Sequence, residues 1–403
     1  MIIKKKVLLW IFILVPFFYP SCIAGTTLSL LWYKWKIIAT IVGCIYIFAH
    51  HRKIKDIAPS IWMIFIFYVL QFIATAINGL DTAYDVNTLL MMSVFVFTTS
   101  LIIQEHKNSA ILFFYNLLSL IVCLNFLSVV FLYGRGLAID SYRTPIYFWG
   151  TKNHVISLVI VFLFLSKYLY SEFYINQLKY YCGLCMAVTS TILMGSSTAI
   201  TALFIYALFI FCCYVIKKRH NSVNIKVALI IGGMLDIAVV VLRIQEHLAT
   251  LISSIFGKDS TLTGRTDLWN QAIELIGINP WFGKGNSYAL AQYGWLTKQY
   301  WNPLTQKLED TYFVAHNQFL EVMINGGVVC LLTFLGIFWM MSRMTRNIYN
   351  NTYKNYIGAA VLAYFIAMIT DLVSPYEPLY LFVIVCSYIC RCENVNKRER
   401  KTL

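Results

Sequence analysis

Charge is what this sequence has least of. Asp, Glu, Lys and Arg make up 12% of its 403 residues, against about 25% in an ordinary soluble domain. That scarcity excludes a soluble globular protein. The chain also lacks an internal repeat, a low-complexity tract and any stretch that reads as a separate soluble domain. Cysteine is present but not where a disulfide framework would need it. Nearly all of the 11 cysteines lie within or beside apolar stretches, and the longest polar loop has none, so no disulfide scaffold is implied. Cys182-x-x-Cys185 has a redox or metal spacing, but it sits in an apolar helix without a partner pair, and small apolar packing is its expected role. Gly283-Lys284-Gly285 lacks the flanking residues of a phosphate-binding P-loop and reads as a turn.

Apolar side chains fill the space left by charge, at 59% of the chain. A membrane-crossing helix needs about 20 mostly apolar residues. Twelve stretches qualify, with cores at 7–24, 36–49, 57–77, 86–103, 109–132, 155–170, 180–195, 199–216, 226–242, 318–341, 356–373 and 379–390. Roughly two thirds of the 32 Lys and Arg fall in alternate connections and at the two ends, which sets orientation by the positive-inside rule. Both termini are therefore expected in the cytoplasm. The net charge of +14 is a topology signal, and no nucleic-acid partner is expected. "MIIKKK" and the apolar run after it could be a signal peptide. Removing it would spoil the charge alternation, so it is read as a retained first helix. The expected fold is an all-α polytopic membrane protein of about 12 transmembrane helices.

Two outer connections are long. One is 133–154; the other runs over 243–315, between the ninth and tenth helices. Loops of this length inside a compact architecture usually carry function. The chain accordingly divides into residues 1–242 (nine helices and the smaller loop), 243–315 (the large loop) and 316–403 (three helices and a basic tail). Within the large loop, "STLTGRTDLWNQAIELIGINPWFGKG" predicts a short amphipathic helix capped by Thr263 or Thr266. Leu268, Trp269, Ala272, Ile273 and Ile276 form its apolar stripe, and Asn279-Pro280 ends it. It is expected to lie on the membrane surface or across the mouth of a cavity. The aromatics of 286–312 (Tyr288, Tyr293, Trp295, Tyr300, Trp301) suit sugar rings and equally suit an interfacial belt.

The tenth helix opens with "VAHNQFLEVMINGG". Asn317 and Glu321, four residues apart, are expected on one helical face, with His316 about 100° round the axis. Gly326-Gly327 would let a neighbour pack closely or the span bend. A helix cap and a catalytic base both fit this wedge. The outer loops also hold more cations than an outer face should, among them Arg143, Lys152, Arg265 and Lys284. Arg makes bidentate bonds to phosphate oxygens. Asp236 and Asp371 are further acids near the membrane, without an assigned role.

"GRTDLWNQAIELIGINPWFGKG" followed by "AHNQFLEVMINGG" resembles the signature of the O-antigen ligase/O-antigen polymerase superfamily. "YRTPIYFWGTKNHVISL" (142–158) and "LMGSSTAITALF" (193–204) fit it more loosely. The resemblance implies a metal-independent, cofactor-free glycosyl transfer at the periplasmic face of a bacterial inner membrane. The donor would be an undecaprenyl-diphosphate-linked oligosaccharide, and membrane lipid, a chain-length regulator and a flippase would be the partners. By the matching motifs, His316 is the expected base and Arg265 the expected diphosphate-binding cation. Lys284, Asn317, Glu321, Trp269 and Trp281 are expected to line the substrate site. Where relatives carry a second Arg this chain has Ser197, so Arg143 or Lys152 is expected to supply that cation. The polymerase branch is favoured. A ligase acting on lipid A–core and a polysaccharide flippase remain as alternatives.

Overall fold

A computed structural model describes residues 2–140, 144–216, 225–244, 265–290, 294–302, 307–346, 348 and 350–402. Each of the twelve apolar stretches falls largely on helix: α1 (Ile2–Leu14), α2 (Thr27–Ala49), α3 (Pro59–Ile77), α4 (Ala83–His106), α5 (Asn108–Phe131), α6 (Val155–Ser171), α7 (Gln177–Met194), α8 (Ser197–Ile216) and α9 (Ile225–Asp236), then, after α10 (Arg265–Ile278), α11 (Gln318–Thr345), α12 (Asn351–Thr370) and α13 (Glu377–Thr402). Among the described residues, α2, α3, α4, α5, α8 and α11 are long and apolar enough to cross a membrane.

The bundle is apolar both inside and outside. Helix α6 is buried almost along its whole length, from Val155 to Leu165, and α12 buries Ile357 to Phe365 beside it. Phe164 and Tyr364 both pack on Phe382 of α13. At the periphery, α2 exposes Leu28, Leu31, Ile41, Ile45 and Phe48. A helix that is hydrophobic all round is stable at such a position only against lipid. This is a membrane protein.

Two short hairpins modify the all-α expectation. Ala138–Ile139 (β1) pairs with Pro145–Ile146 (β2), and Leu296–Asn302 (β3) pairs antiparallel with Lys307–Phe313 (β4), Leu296 opposite Phe313. The second hairpin occupies what reads in sequence as an aromatic loop. Neither strand alternates apolar with polar, so the period-2 signal of a half-buried strand is missing. Burial is selective: Leu296 is 1% exposed, in a small core with Leu268, Trp269, Ala272, Ala315 and Leu320. That core is the stripe of α10 pressed onto the start of α11. Ile273, placed on the stripe by periodicity, is instead 46% exposed. Thr266 lies inside the first turn of α10, and Thr263 lies outside the described residues.

Helix α11 is broken at Gly327, whose φ of 67° and ψ of −170° are non-helical. A break at membrane depth strands backbone groups that lipid cannot satisfy. The "NPWFGKG" segment satisfies them. Lys284 N donates to Ile324 O (2.6 Å) and Gly285 N to Asn325 O (3.0 Å), while Val328 N donates to Pro280 O (2.8 Å) and Val329 N to Trp281 O (3.4 Å). Backbone meets backbone so closely that a Cβ on Gly327 would stand 2.2 Å from the Trp281 carbonyl. Gly327→Ala is therefore expected to lower the yield of folded protein and its melting temperature. Backbone strain alone accounts for about 1–3 kcal/mol, before the overlap. Gly336→Ala, with Met63 Sδ at 3.6 Å from the added carbon, is the control, and an equal loss in both variants would refute the interpretation.

Candidate functional site

Helix α11 begins at Gln318, and the residues before it are not helical. This corrects the expectation that His316 follows the helical periodicity. Asn317, extended at φ −145°, is the N-cap, and its Oδ1 accepts from Phe319 N and Leu320 N, both at 2.9 Å. Capping is thus a role Asn317 has. His316 takes φ +48°, a left-handed conformation uncommon outside glycine and held only when the surroundings determine it. Those surroundings are buried. Glu321 turns back to accept from Ala315 N at 2.8 Å, and its other oxygen accepts from Asn325 at 3.1 Å. Trp269 Nε1 donates to Ala315 O at 3.0 Å. Asn317 Nδ2 donates to Asp236 Oδ1 (2.8 Å) and to Ile369 O (3.1 Å). Ala315 and Asn317, on either side of His316, are thereby pinned, and the imidazole is left about 30% exposed.

What the imidazole meets is Asp371, at the C-terminal end of α12. His316 Nδ1 lies 3.1 Å from Asp371 Oδ1, and Arg265 Nη2 lies 3.4 Å from Asp371 Oδ2. Leu372 N donates to the same carboxylate at 2.9 Å. Burial pushes the Asp371 carboxyl upward, but the hydrogen bond from His316 and the charge of Arg265 outweigh it and hold it below the ordinary aspartate range. It is therefore ionised through the neutral and mildly acid range. A carboxylate accepting at Nδ1 requires a proton there, which leaves Nε2 as the free acceptor of a neutral ring. The cluster thus holds a base with its tautomer set, a guanidinium and a shared carboxylate.

A second imidazole stands close by. Burial pushes the pKa of His154 down, and the Asp371 charge returns part of that shift. Its Nδ1 is buried without a hydrogen-bond partner among the described residues. The loop that carries it is tied to the start of α8 by Ser196 Oγ donating to Asn153 Oδ1 (3.0 Å), and Thr198 of that helix bonds Thr370 (3.0 Å), next to Asp371. His154 and Thr198, one from each stretch of looser resemblance, thus lie beside Asp371 and its neighbour Thr370.

Of the residues singled out in sequence, the structure brings His316, Arg265, Asn317, Glu321 and Trp269 into one assembly. Asn317, Glu321 and Trp269 are buried, at 0%, 8% and 1% exposure, with their polar atoms engaged as above. Trp281 is 63% exposed, and Lys284 enters the break in α11 through its backbone nitrogen. Lys152 is exposed and makes no ion pair among the described residues. Arg143 lies outside the described residues. Sequence reasoning passed over His154, and left Asp236 and Asp371 without a role. The sequence signal that could have given Asp371 a role is an acid near the end of an apolar span, where an ionisable group is functional by default.

A groove adjoins the cluster. Gly233 and Asp236 of α9, Phe319, Leu335 and Trp339 of α11 and Phe365 of α12 line an open, largely apolar space of about 570 Å³. Asp236, which holds Asn317, is its one charged lining group among the described residues.

Fold and site define a polytopic membrane protein with a His–Asp–Arg cluster at one end of its bundle. A family model described as O-antigen ligase matches residues 182–335. The exopolysaccharide production protein ExoQ of Rhizobium meliloti (strain 1021) is 33% identical over 111 residues. That alignment covers 26% of this chain and 23% of ExoQ, so the chain matches about a quarter of that relative's length. Over these matched stretches the chain is similar to proteins of the O-antigen ligase/polymerase type. His316 and Arg265 fall inside the matched family region; Asp371 and His154 lie beyond it.

Proposed function

We propose that this chain is a membrane glycosyltransferase that polymerises a surface polysaccharide, moving the growing glycan from undecaprenyl diphosphate onto the next undecaprenyl-diphosphate-linked repeat unit. The observation that carries this reading is the single carboxylate of Asp371 shared by His316 and Arg265. An acceptor hydroxyl gives its proton to His316 Nε2 as its oxygen attacks the anomeric carbon. The bond from that carbon to the diphosphate breaks, and the carrier diphosphate leaves with the electron pair. Arg265, only one of whose nitrogens bonds Asp371, meets the developing charge with the rest of its fork. No metal or cofactor is needed for these steps. The groove beside Asp236 offers an apolar bed for the isoprenoid chain, and the exposed Trp281 an aromatic face for a sugar ring. Lys152 and Lys284 remain cations for the outer diphosphate oxygens. Asn317, Glu321 and Trp269 act by shaping the loop that presents His316.

The reading includes twelve spans in a bacterial inner membrane, both termini in the cytoplasm, the site on the periplasmic face, and a chain-length regulator and flippase as partners. Lys and Arg content supports the orientation. A ligase that passes the glycan to lipid A–core has the description of the matching family in its favour, while the name of the ExoQ relative speaks of polysaccharide production.

The surface-polysaccharide gel profile of a deletion strain separates these functions. Core carrying one repeat unit is the expected result. Bare core with lipid-linked polymer accumulating would mean ligase, and repeat units held on the cytoplasmic side would mean flippase. Arg265→Lys is expected to cut transfer at least tenfold, because a point charge does not replace the bidentate fork. Unchanged polymer in that variant would remove Arg265 from the site.

A further inference from the structure

A second apolar cavity, distinct from the groove at the site, opens on the side of the bundle between α6, α7, α8 and α12. It holds about 630 Å³ and is walled by side chains such as Leu184, Ile200, Phe204 and Phe211. Its polar features gather toward the end remote from His316. Lys167 follows His154 by 13 residues along α6, which places it about 20 Å further down the helix at 1.5 Å per residue. Its Nζ stands over the rings of Tyr170, Tyr180 and Tyr356, at 5.6, 5.9 and 5.5 Å from their centroids. Two of those tyrosines, Tyr180 and Tyr356, also line the cavity. Among the described residues no carboxylate lies within 4 Å of Lys167. A lysine on a membrane helix is costly unless its ammonium reaches water or an anionic headgroup, and Lys167, half-buried over three rings, is placed to meet a headgroup.

The second feature is Tyr206 of α8. It is 6% exposed, lines the same cavity, and its hydroxyl is buried without a hydrogen-bond partner among the described residues. Its ring lies 6.5 Å from that of Tyr356, so the orphan hydroxyl and the Lys167 ammonium share one tyrosine as neighbour. A buried hydroxyl without an acceptor is destabilising, and an occupant that brings an acceptor removes the penalty.

We propose that this cavity binds an anionic glycerophospholipid, its acyl chains along the apolar wall, its phosphate on Lys167 and an ester carbonyl on the Tyr206 hydroxyl. The two polar features select this class. A glycerophospholipid carries an anionic phosphate and, one glycerol length inward, ester carbonyls that accept hydrogen bonds. A polyprenyl phosphate carries the anion but no acyl ester carbonyl, and a neutral or zwitterionic lipid offers Lys167 no net charge. Basic pockets between membrane helices recognise anionic headgroups by the same electrostatics. This site lies away from the His–Asp–Arg cluster and does not depend on the transferase reading.

Native mass spectrometry of the full chain released from nanodiscs of equal phosphatidylglycerol and phosphatidylethanolamine tests it. The wild type is expected to retain phosphatidylglycerol about tenfold over phosphatidylethanolamine. Lys167→Gln is expected to bring the two to parity, and Lys167→Arg to keep the preference. Tyr206→Phe, which changes one oxygen, is expected to weaken retention of both lipids several-fold with the preference preserved. Addition of phosphatidylglycerol should raise the melting temperature of the wild type and leave that of Lys167→Gln unmoved, which keeps the test readable if the variant is less stable. Equal retention of the two lipids by the wild type would overturn the proposal. So would an undiminished preference in Lys167→Gln, or displacement of phosphatidylglycerol by an equal amount of undecaprenyl phosphate.

Discussion

Asp371→Asn is expected to reduce glycan transfer by two to four orders of magnitude while the protein remains folded in the membrane. The amide has nearly the volume of the carboxylate, so packing at the end of α12 is kept. What changes is hydrogen-bond polarity. The carboxylate accepts at once from His316 Nδ1 (3.1 Å), Arg265 Nη2 (3.4 Å) and Leu372 N (2.9 Å). An amide has one acceptor atom and turns its NH₂ toward one of those donors. If it faces His316, the favoured tautomer reverses. Nδ1 becomes the acceptor, Nε2 carries the proton, and the base toward the acceptor sugar is lost. If it faces Arg265, an N–H meets a cation and the guanidinium moves off. Removing a positioned general base costs about 10²–10⁴ in rate. The check is transfer from a lipid-linked donor by purified variant, with membrane-embedded protein quantified in parallel. Turnover within a few fold of wild type would show that Asp371 is a structural cap and not part of the chemistry. The pH dependence has a defined sign. Because the folded carboxyl titrates below its ordinary range, its contribution to stability is complete above about pH 4, the unfolded aspartate value. It fades only as the pH falls further, through the folded value.

The second large effect is expected at His316, and the choice of substitution matters. At φ +48° an alanine lacks the preference that Asn, Asp and His have for that conformation as well as the ring, so a dead His316→Ala does not separate misfolding from lost chemistry. Asn adopts that conformation more readily than other residues with a Cβ, and its amide does not serve as a base at neutral pH. His316→Asn is therefore expected to keep the backbone, the Asn317 cap and the Glu321–Ala315 bond, and to lose transfer by 10²–10⁴-fold. The measurement is the same assay, together with the chain-length profile in cells. Long polymer at normal abundance from a folded His316→Asn protein would assign the base elsewhere, with the buried His154 as the first place to look.

The residues differ in how far they could be read without a structure. Asn317 announces itself: an Asn directly before an apolar run is an N-cap signal, and it is one here. Trp269 and Leu268 follow helical periodicity and are buried as periodicity requires. Gly326-Gly327 and "NPWFGKG" were legible as a flexible point and a turn. That the turn supplies the four hydrogen bonds missing at the break was not, because spacing along a chain does not state which backbone groups face each other. The β3–β4 hairpin was missed for a related reason, since its strands carry no alternation strong enough to outweigh their aromatic, loop-like composition.

By itself the sequence determined the class: scarcity of charge and a succession of apolar stretches leave lipid as the only solvent in which this chain is stable. It also singled out His316 and Arg265 as candidates, because both sit in local patterns, a helix entrance and an amphipathic helix start. Only the tertiary structure decided what joins them. Asp371 is 106 residues from Arg265 and 55 from His316, on a helix whose own pattern says nothing of either. Local signals arise from side chains a turn apart, where geometry is set by the helix. A carboxylate that sets a tautomer and holds a guanidinium is chosen by packing between distant helices, and that geometry exists only once the bundle has formed.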